Sequence, residues 1–133
     1  MTARSRRLTA AATAAVFGAV DLLEKATAHD PLRHTRSLGA FVVMAAVAAG
    51  LLWLVPLVPW TPVALGAGVA AGGALGNLVS MLVWSGAVPD PLVVPGRIAF
   101  NLADVFVLLG DALLLSAVAV YTVRHRAHLR LPL

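Results

Sequence analysis

The chain has 133 residues, of which 60% are hydrophobic and 12% charged. A soluble domain normally carries about 25% charged residues, so the composition points to lipid as the solvent and leaves room for one bundle, not two domains. With no cysteine, a disulfide framework, a thiolate metal site, a cysteine nucleophile and a lipidated cysteine are all excluded.

Four apolar segments follow in chain order, each close to the roughly 20 residues that span a bilayer. The first runs from about residue 8 to 28, and its far end is interrupted by Asp21, Glu24 and Lys25. The linker from His29 to Ser37 is polar and mixed in charge. The second segment runs from about 38 to 55. Pro56-Leu57-Val58-Pro59-Trp60 then makes a short link whose prolines end one helix and start the next, which implies antiparallel neighbours. The third segment covers about 61 to 84. It carries Gly68, Gly72 and Gly76 in a repeated small-xxx-small pattern that permits close helix packing. Gly76 also offers an open approach to the backbone near Asn77. Ser85 to Arg97 holds three prolines and two glycines, so an ordered loop is expected. The fourth segment runs from about 98 to 123. The expected fold is an all-α membrane protein, a single domain over 1–133 built as a four-transmembrane-helix antiparallel bundle.

Orientation follows from the arginines. Arg4, Arg6 and Arg7 precede the first helix, and Arg124, Arg126 and Arg130 follow the fourth. An even number of spans puts both termini on one side, and the positive-inside rule makes that side the cytoplasm. The formal charge of +4 therefore marks orientation and not a nucleic-acid partner. Arg33 and Arg36 in the first outer loop run against the rule, and Asp30 partly balances them. The N-terminal arginines, the apolar run and Ala26-Thr27-Ala28 also resemble a secretory signal. Asp21, Glu24 and Lys25 sit where that apolar run should meet its cleavage site, so the segment is expected to stay as a helix.

An ionisable residue inside an apolar helix is costly and marks function by default. Counting from the outer helix ends at about 1.5 Å per residue, Asp104 is expected roughly 9 Å and Asn77 roughly 10 Å below the outer surface. Asp21 lies at a comparable depth, and Asn101 sits one turn above Asp104. Shared depth argues for a shared site. Each residue also has a plainer reading. Asp21 and Lys25, four apart, pair on one helix face. Asn77 and Asn101 serve as interhelical hydrogen-bond glue. Asp90 is a turn residue between prolines. Asp111, two turns below Asp104, is expected near the midplane, protonated and bonded to a neighbour. The four histidines fall in loops and tails on opposite sides, which leaves no metal site among them.

Two close carboxyls do not easily ionise together, so they share a proton. The ionised member takes a proton from water, and the protonated one hydrogen-bonds a scissile carbonyl. Asp90 and Asp104 would form such a pair without metal or cofactor.

Three blocks carry a resemblance: Gly72-Gly73-Ala74-Leu75-Gly76-Asn77-Leu78, then Gly86-Ala87-Val88-Pro89-Asp90, then Phe100-Asn101-Leu102-Ala103-Asp104. They resemble the lipoprotein signal peptidase (signal peptidase II) family of intramembrane aspartic peptidases. Val20-Asp21-Leu22-Leu23-Glu24-Lys25 resembles that family's first-helix Asp-x-x-x-Lys motif. The resemblance implies four helices with both termini cytoplasmic and a site near the outer face of a bacterial-type plasma membrane. It implies Asp90 and Asp104 as the catalytic pair, with Asn77, Asn101, Asp21, Lys25 and Gly76 supporting them or the substrate. The implied reaction removes the signal peptide of a prolipoprotein just before its diacylglyceryl-modified cysteine. Several positions depart from the pattern. Ser80 and Met81 stand where the family usually has Asp-Arg. Leu22 and Glu24 replace a common glutamine and hydroxyl residue, and Pro91 replaces an aromatic. The first outer segment spans only about nine residues, without the family's Asn-x-Gly-Ala-Ala-Phe-like motif and extracellular cradle. These losses keep two alternatives open: a non-cleaving homologue that binds lipoprotein or lipid, and a small four-helix proton-coupled transporter working through Asp111.

Overall fold

A computed structural model describes residues 1–96 and 98–129, with side chains through 126. Arg97, Arg130 and the side chain of His128 lie outside the described residues. The chain is mostly helical: α1 (Ala3–Thr27), α2 (Leu38–Trp53), α3 (Thr61–Val83) and α4 (Leu102–Leu129). Three stretches are long and apolar enough to cross a membrane: Leu38–Leu57, Thr61–Val83 and Leu102–Arg126. The charges of α1 keep it out of this group. Two short antiparallel ribbons complete the fold. β1 (Leu32–Thr35) pairs with β2 (Ala87–Asp90), and β3 (Leu92–Val94) pairs with β4 (Ile98–Phe100).

Local chemistry explains the helix ends. Thr2 caps α1 by accepting from the Ser5 N–H at 3.1 Å, and Ser37 caps α2 through the Ala40 N–H at 3.1 Å. Val55–Leu57 tightens into a 3₁₀ turn with Pro56 inside it. Pro62 lies in the first turn of α3, where its missing N–H costs nothing. Buried Arg6 fastens the start of α1 to this link, donating to the carbonyls of Pro56 at 2.8 Å and Leu57 at 3.3 Å. One of the arginines expected to set orientation thus also satisfies carbonyls that would otherwise be orphaned. At its far end α3 stops on Ser85 and Gly86, both at positive φ, and the Gly86 N–H closes the turn onto the Met81 carbonyl at 2.7 Å.

The central helix is α3, which packs most extensively on α4 and α1 and then on α2. It can do so because it is poor in side chain. A Cβ on Gly72 would stand 2.7 Å from the Phe17 Cβ of α1, and one on Gly66 would stand 2.6 Å from the Leu114 backbone of α4. The outer faces of the other helices are apolar, with Leu38, Leu108 and Leu115 exposed. Such a surface suits lipid.

The apolar run at Ile98–Phe100, expected to begin the fourth helix, is a strand, and α4 starts only at Leu102. The expected Ser85–Arg97 loop likewise holds β2 and β3. Both ribbons lie where α1 ends, α2 begins, α3 ends and α4 begins, so they gather four helix termini at one end of the molecule.

Candidate active site

The site is built around the start of α4, whose first amides have no partners within the helix. Two acids from the end of α1 take the first two. Glu24 Oε2 accepts from the Leu102 N–H at 3.4 Å, and Asp21 Oδ1 accepts from the Ala103 N–H at 2.7 Å. Asn101 takes the third, its Oδ1 accepting from the Asp104 N–H at 3.2 Å. In return Asp104 Oδ2 accepts from the Asn101 N–H at 3.3 Å. The reciprocal exchange is a capping box, with Asn101 at the cap and Asp104 three residues on. Carboxylates at a helix N-terminus are also favoured by its dipole.

Lys25 supplies the countercharge. Its Nζ lies 2.8 Å from Asp21 Oδ2, and both side chains are fully buried. It also donates to Asn77 Oδ1 at 2.8 Å and Ser80 Oγ at 3.0 Å. The ammonium's three donors are therefore all used. Ser80 closes the group by donating to the Gly76 carbonyl at 2.7 Å. The space a Gly76 side chain would fill is occupied by the Asp21 carboxylate. Gly76, expected to give a substrate access to the backbone, here makes room for an acid of α1.

Donor-only Lys25 fixes how Asn77 points. Its Oδ1 must face the ammonium, so its amide nitrogen faces the other way and donates to Asp104 Oδ1 at 3.3 Å. The same logic fixes Asn101. Its Oδ1 is spent on the cap, and its Nδ2 donates to Asp90 Oδ1 at 2.6 Å. Asn101 thus touches both acids, Asp104 through its backbone and cap and Asp90 through its side chain. Asp90 ends β2 and is 2% exposed. Its second oxygen bonds to the Nδ1 of His34 on β1. The seven residues that the resemblance implied for the site, Asp21, Lys25, Gly76, Asn77, Asp90, Asn101 and Asp104, belong to one connected polar cluster.

Asp104 is half-buried and lines a cavity of about 450 Å³ between α2, α3 and α4. Val43, Met44, Val47 and Leu108 make the cavity apolar, and Asn77 joins Asp104 on its wall. Arg36 stands at its edge. An apolar trough with one carboxyl in its wall suits a greasy chain that carries a polarised bond. Among the described residues, no group of three or more His, Asp or Glu side chains is placed to hold a metal ion.

The structure departs from three expectations. Asp104 belongs to the first turn of α4 and meets Asn77 there, rather than nearly two turns along a helix that begins at residue 98. Asp111 is exposed on the outer side of α4 and, among the described residues, has no hydrogen-bond partner. Its helix face turns outward because Gly110, the residue before it, packs onto Ala70 of α3. Three members of the cluster, His34, Glu24 and Ser80, were not anticipated. Ser80 is three residues from Asn77 on one helix face, a spacing that could have revealed it. His34 carries no such local signal.

The profile of the Signal peptidase (SPase) II family matches residues 8–120, a stretch that contains the whole cluster. The chain belongs to the signal peptidase II family. This is a family of aspartic peptidases that act on lipoproteins in membranes. No curated protein and no solved structure shows significant similarity to the chain.

Proposed function

We propose that the chain is a lipoprotein signal peptidase that cleaves signal peptides from diacylglyceryl-modified prolipoproteins, with Asp90 and Asp104 as its catalytic pair. The observation that carries this reading is Asn101. Its side-chain amide reaches Asp90 at 2.6 Å while its backbone N–H reaches Asp104 at 3.3 Å. Two acids from distant elements are thus held about one residue, Asn101, beside an apolar cavity. A membrane-anchored bundle of four spans, both termini cytoplasmic and the site near the outer face, fits the arginine-rich ends.

The reaction needs no group beyond the pair and water. The ionised carboxylate takes a proton from a water whose oxygen bonds to the scissile carbonyl carbon. The protonated acid gives its proton to the carbonyl oxygen, and a neutral tetrahedral diol results. Collapse breaks the carbon–nitrogen bond. The proton held by the first acid moves to the leaving amine, and a diol proton returns to the second. The products are a carboxylic acid on the signal peptide and a free amine on the lipid-modified cysteine. The cavity beside Asp104 takes the apolar chain next to the bond, and Lys25, through Asn77, keeps Asp104 supplied with a donor.

The test is cleavage of a purified lipidated prolipoprotein by the wild type, Asp90→Asn and Asp104→Asn. Wild-type cleavage and loss of at least about a thousandfold in each variant is expected, by analogy with removal of an acting member of a catalytic unit. A variant with the full rate defeats the pair assignment. Ser80 and Met81, in place of Asp-Arg, favour one rival, a non-cleaving homologue. It predicts that the wild type binds prolipoprotein and processes none.

A further inference from the structure

We propose that His34 is a positioning residue that holds Asp90 as the proton-accepting member of the pair, an inference that rests on the peptidase reading above. The backbone brings the two together before any rotamer is considered. In the β1–β2 ribbon, Leu32 stands opposite Asp90 and His34 opposite Val88. Opposed residues share a face, and so do alternate residues along a strand. Leu32, His34, Val88 and Asp90 therefore project to one side, with His34 and Asp90 as diagonal neighbours. That separation is within reach of an aromatic side chain. The ring nitrogen Nδ1 accordingly bonds to Asp90 Oδ2.

The two acids are held differently. An ionised carboxylate is an acceptor only, and each oxygen of Asp90 has a partner: the Asn101 amide donates to Oδ1, and His34 Nδ1 bonds to Oδ2, as the donor in the tautomer that carries its proton on Nδ1. Asn101 has no freedom to turn its oxygen there, because that oxygen caps α4. Asp104 instead has two long contacts of 3.3 Å and opens onto the cavity. Asp90, 2% exposed, suits the base that activates water, and Asp104 suits the acid facing the carbonyl. A strand of four residues and one imidazole thus hold the acid of β2.

Other charges near the pair come from each neighbouring element. α1 brings Glu24, within electrostatic reach of Asp90, and the mutually neutralising Asp21 and Lys25. α4 brings Asp104. On the ribbon's own strand, Arg33 alternates to the opposite face, and Arg36 lies beyond the strand at the cavity edge. α3 meets the cluster with neutral Asn77 and Ser80. Among the described residues, His34 and Asn101 are thus the side chains that bond directly to the Asp90 carboxylate.

The experiment measures kcat, KM and their pH dependence on a lipidated prolipoprotein for the wild type, His34→Leu and His34→Asn. The asparagine amide stands where Nδ1 does and can donate the same bond. His34→Leu is expected to lower kcat about 10- to 100-fold, change KM less than about threefold and move the acid limb of kcat/KM to higher pH. His34→Asn should recover most of kcat. An unchanged kcat in His34→Leu, or an equal loss in both variants with the acid limb unmoved, overturns the proposal. Proton NMR of the detergent-solubilised protein gives a readout that needs no cleavage. A downfield, slowly exchanging His34 ring N–H is expected in the wild type and in Asp104→Asn, and its loss is expected in Asp90→Ala. A missing signal, or one that survives Asp90→Ala, overturns the proposal whatever the cleavage result. A wild type that cleaves nothing overturns the peptidase reading alone, and the NMR signal then decides whether His34 grips Asp90.

Discussion

Replacing Lys25 by methionine tests whether the buried cluster is the rivet of the fold. Lys25 is fully buried and satisfies acceptors on two helices: Asp21 on α1, and Asn77 and Ser80 on α3. Methionine keeps the length of the side chain and removes the charge and three donors. Asp21 is then a buried carboxylate whose remaining donor is the Ala103 N–H. Breaking a buried pair by removing one partner costs about 3–5 kcal/mol. At this chain length that corresponds to a fall in Tm of roughly 10–20 °C. The measurement is thermal unfolding in detergent, followed by tryptophan fluorescence. The informative arm is the double variant Asp21→Asn/Lys25→Met. Removing both charges eliminates the orphan, so the double variant should regain at least about 2 kcal/mol relative to Lys25→Met alone. The rescue matters more than the loss, because many substitutions destabilise but few pairs rescue each other. Lys25→Met within about 3 °C of the wild type, or a double variant no better than the single one, would refute the reasoning.

Three further outcomes follow from the same geometry. Asn101→Ser retains a hydroxyl that can cap α4, so stability should stay within about 1 kcal/mol; it loses the amide that reaches Asp90, and cleavage should drop at least about tenfold. Gly76→Ala puts a methyl where the Asp21 carboxylate lies; overpacking of this kind costs about 1–3 kcal/mol, visible as a lowered Tm, whereas Gly39→Ala, at a helical site with no contact under 3.7 Å, should not lower Tm and can raise it slightly. Asp111→Asn should leave both cleavage and Tm within the small range of surface substitutions, about 0.5 kcal/mol, because the side chain is exposed and bonds to no described residue. Loss of all function in Asp111→Asn would favour a proton-relay carrier over a peptidase.

The helices were readable because apolar runs of membrane-spanning length leave the backbone little alternative to helix. The polar cluster was half readable, and the division has a physical cause. Asp21 with Lys25 lies at helical spacing, so one-dimensional counting finds the pair; Asn77 and Ser80 are three apart on one face, a spacing that went unused. Asn101-Leu102-Ala103-Asp104 also carries a local signature, Asn followed three residues later by an acid, which is a cap and marks a helix start. The apolar Ile98-Ala99-Phe100 upstream obscured it, since so short a run reads equally well as the head of a helix or as a strand. Placing the start at Leu102 turns Asp104 from an acid stranded in a helix into a cap residue. That weakens the argument from cost, because a carboxyl on an N-terminal turn is welcome there. It strengthens the argument from geometry.

His34 and Asp90 are 56 residues apart, and their meeting depends on strand pairing between two segments with little strand character. Leu32-Arg33-His34-Thr35 is exposed throughout, and Pro89 interrupts β2. Nothing local announces the ribbon. It forms because α1, α2 and α3 bring the two segments side by side, and backbone pairing then sets a register that puts Asp90 and His34 on one face. The acid most in need of a partner was therefore the one whose partner could not be read from spacing. The contact of Asp90 with His34 therefore rests on tertiary structure and not on a motif. Substitutions in Leu32–Thr35 that shift the β1–β2 register by one residue should then disable cleavage as thoroughly as loss of the imidazole, because a one-residue slip sends His34 to the opposite face of the ribbon.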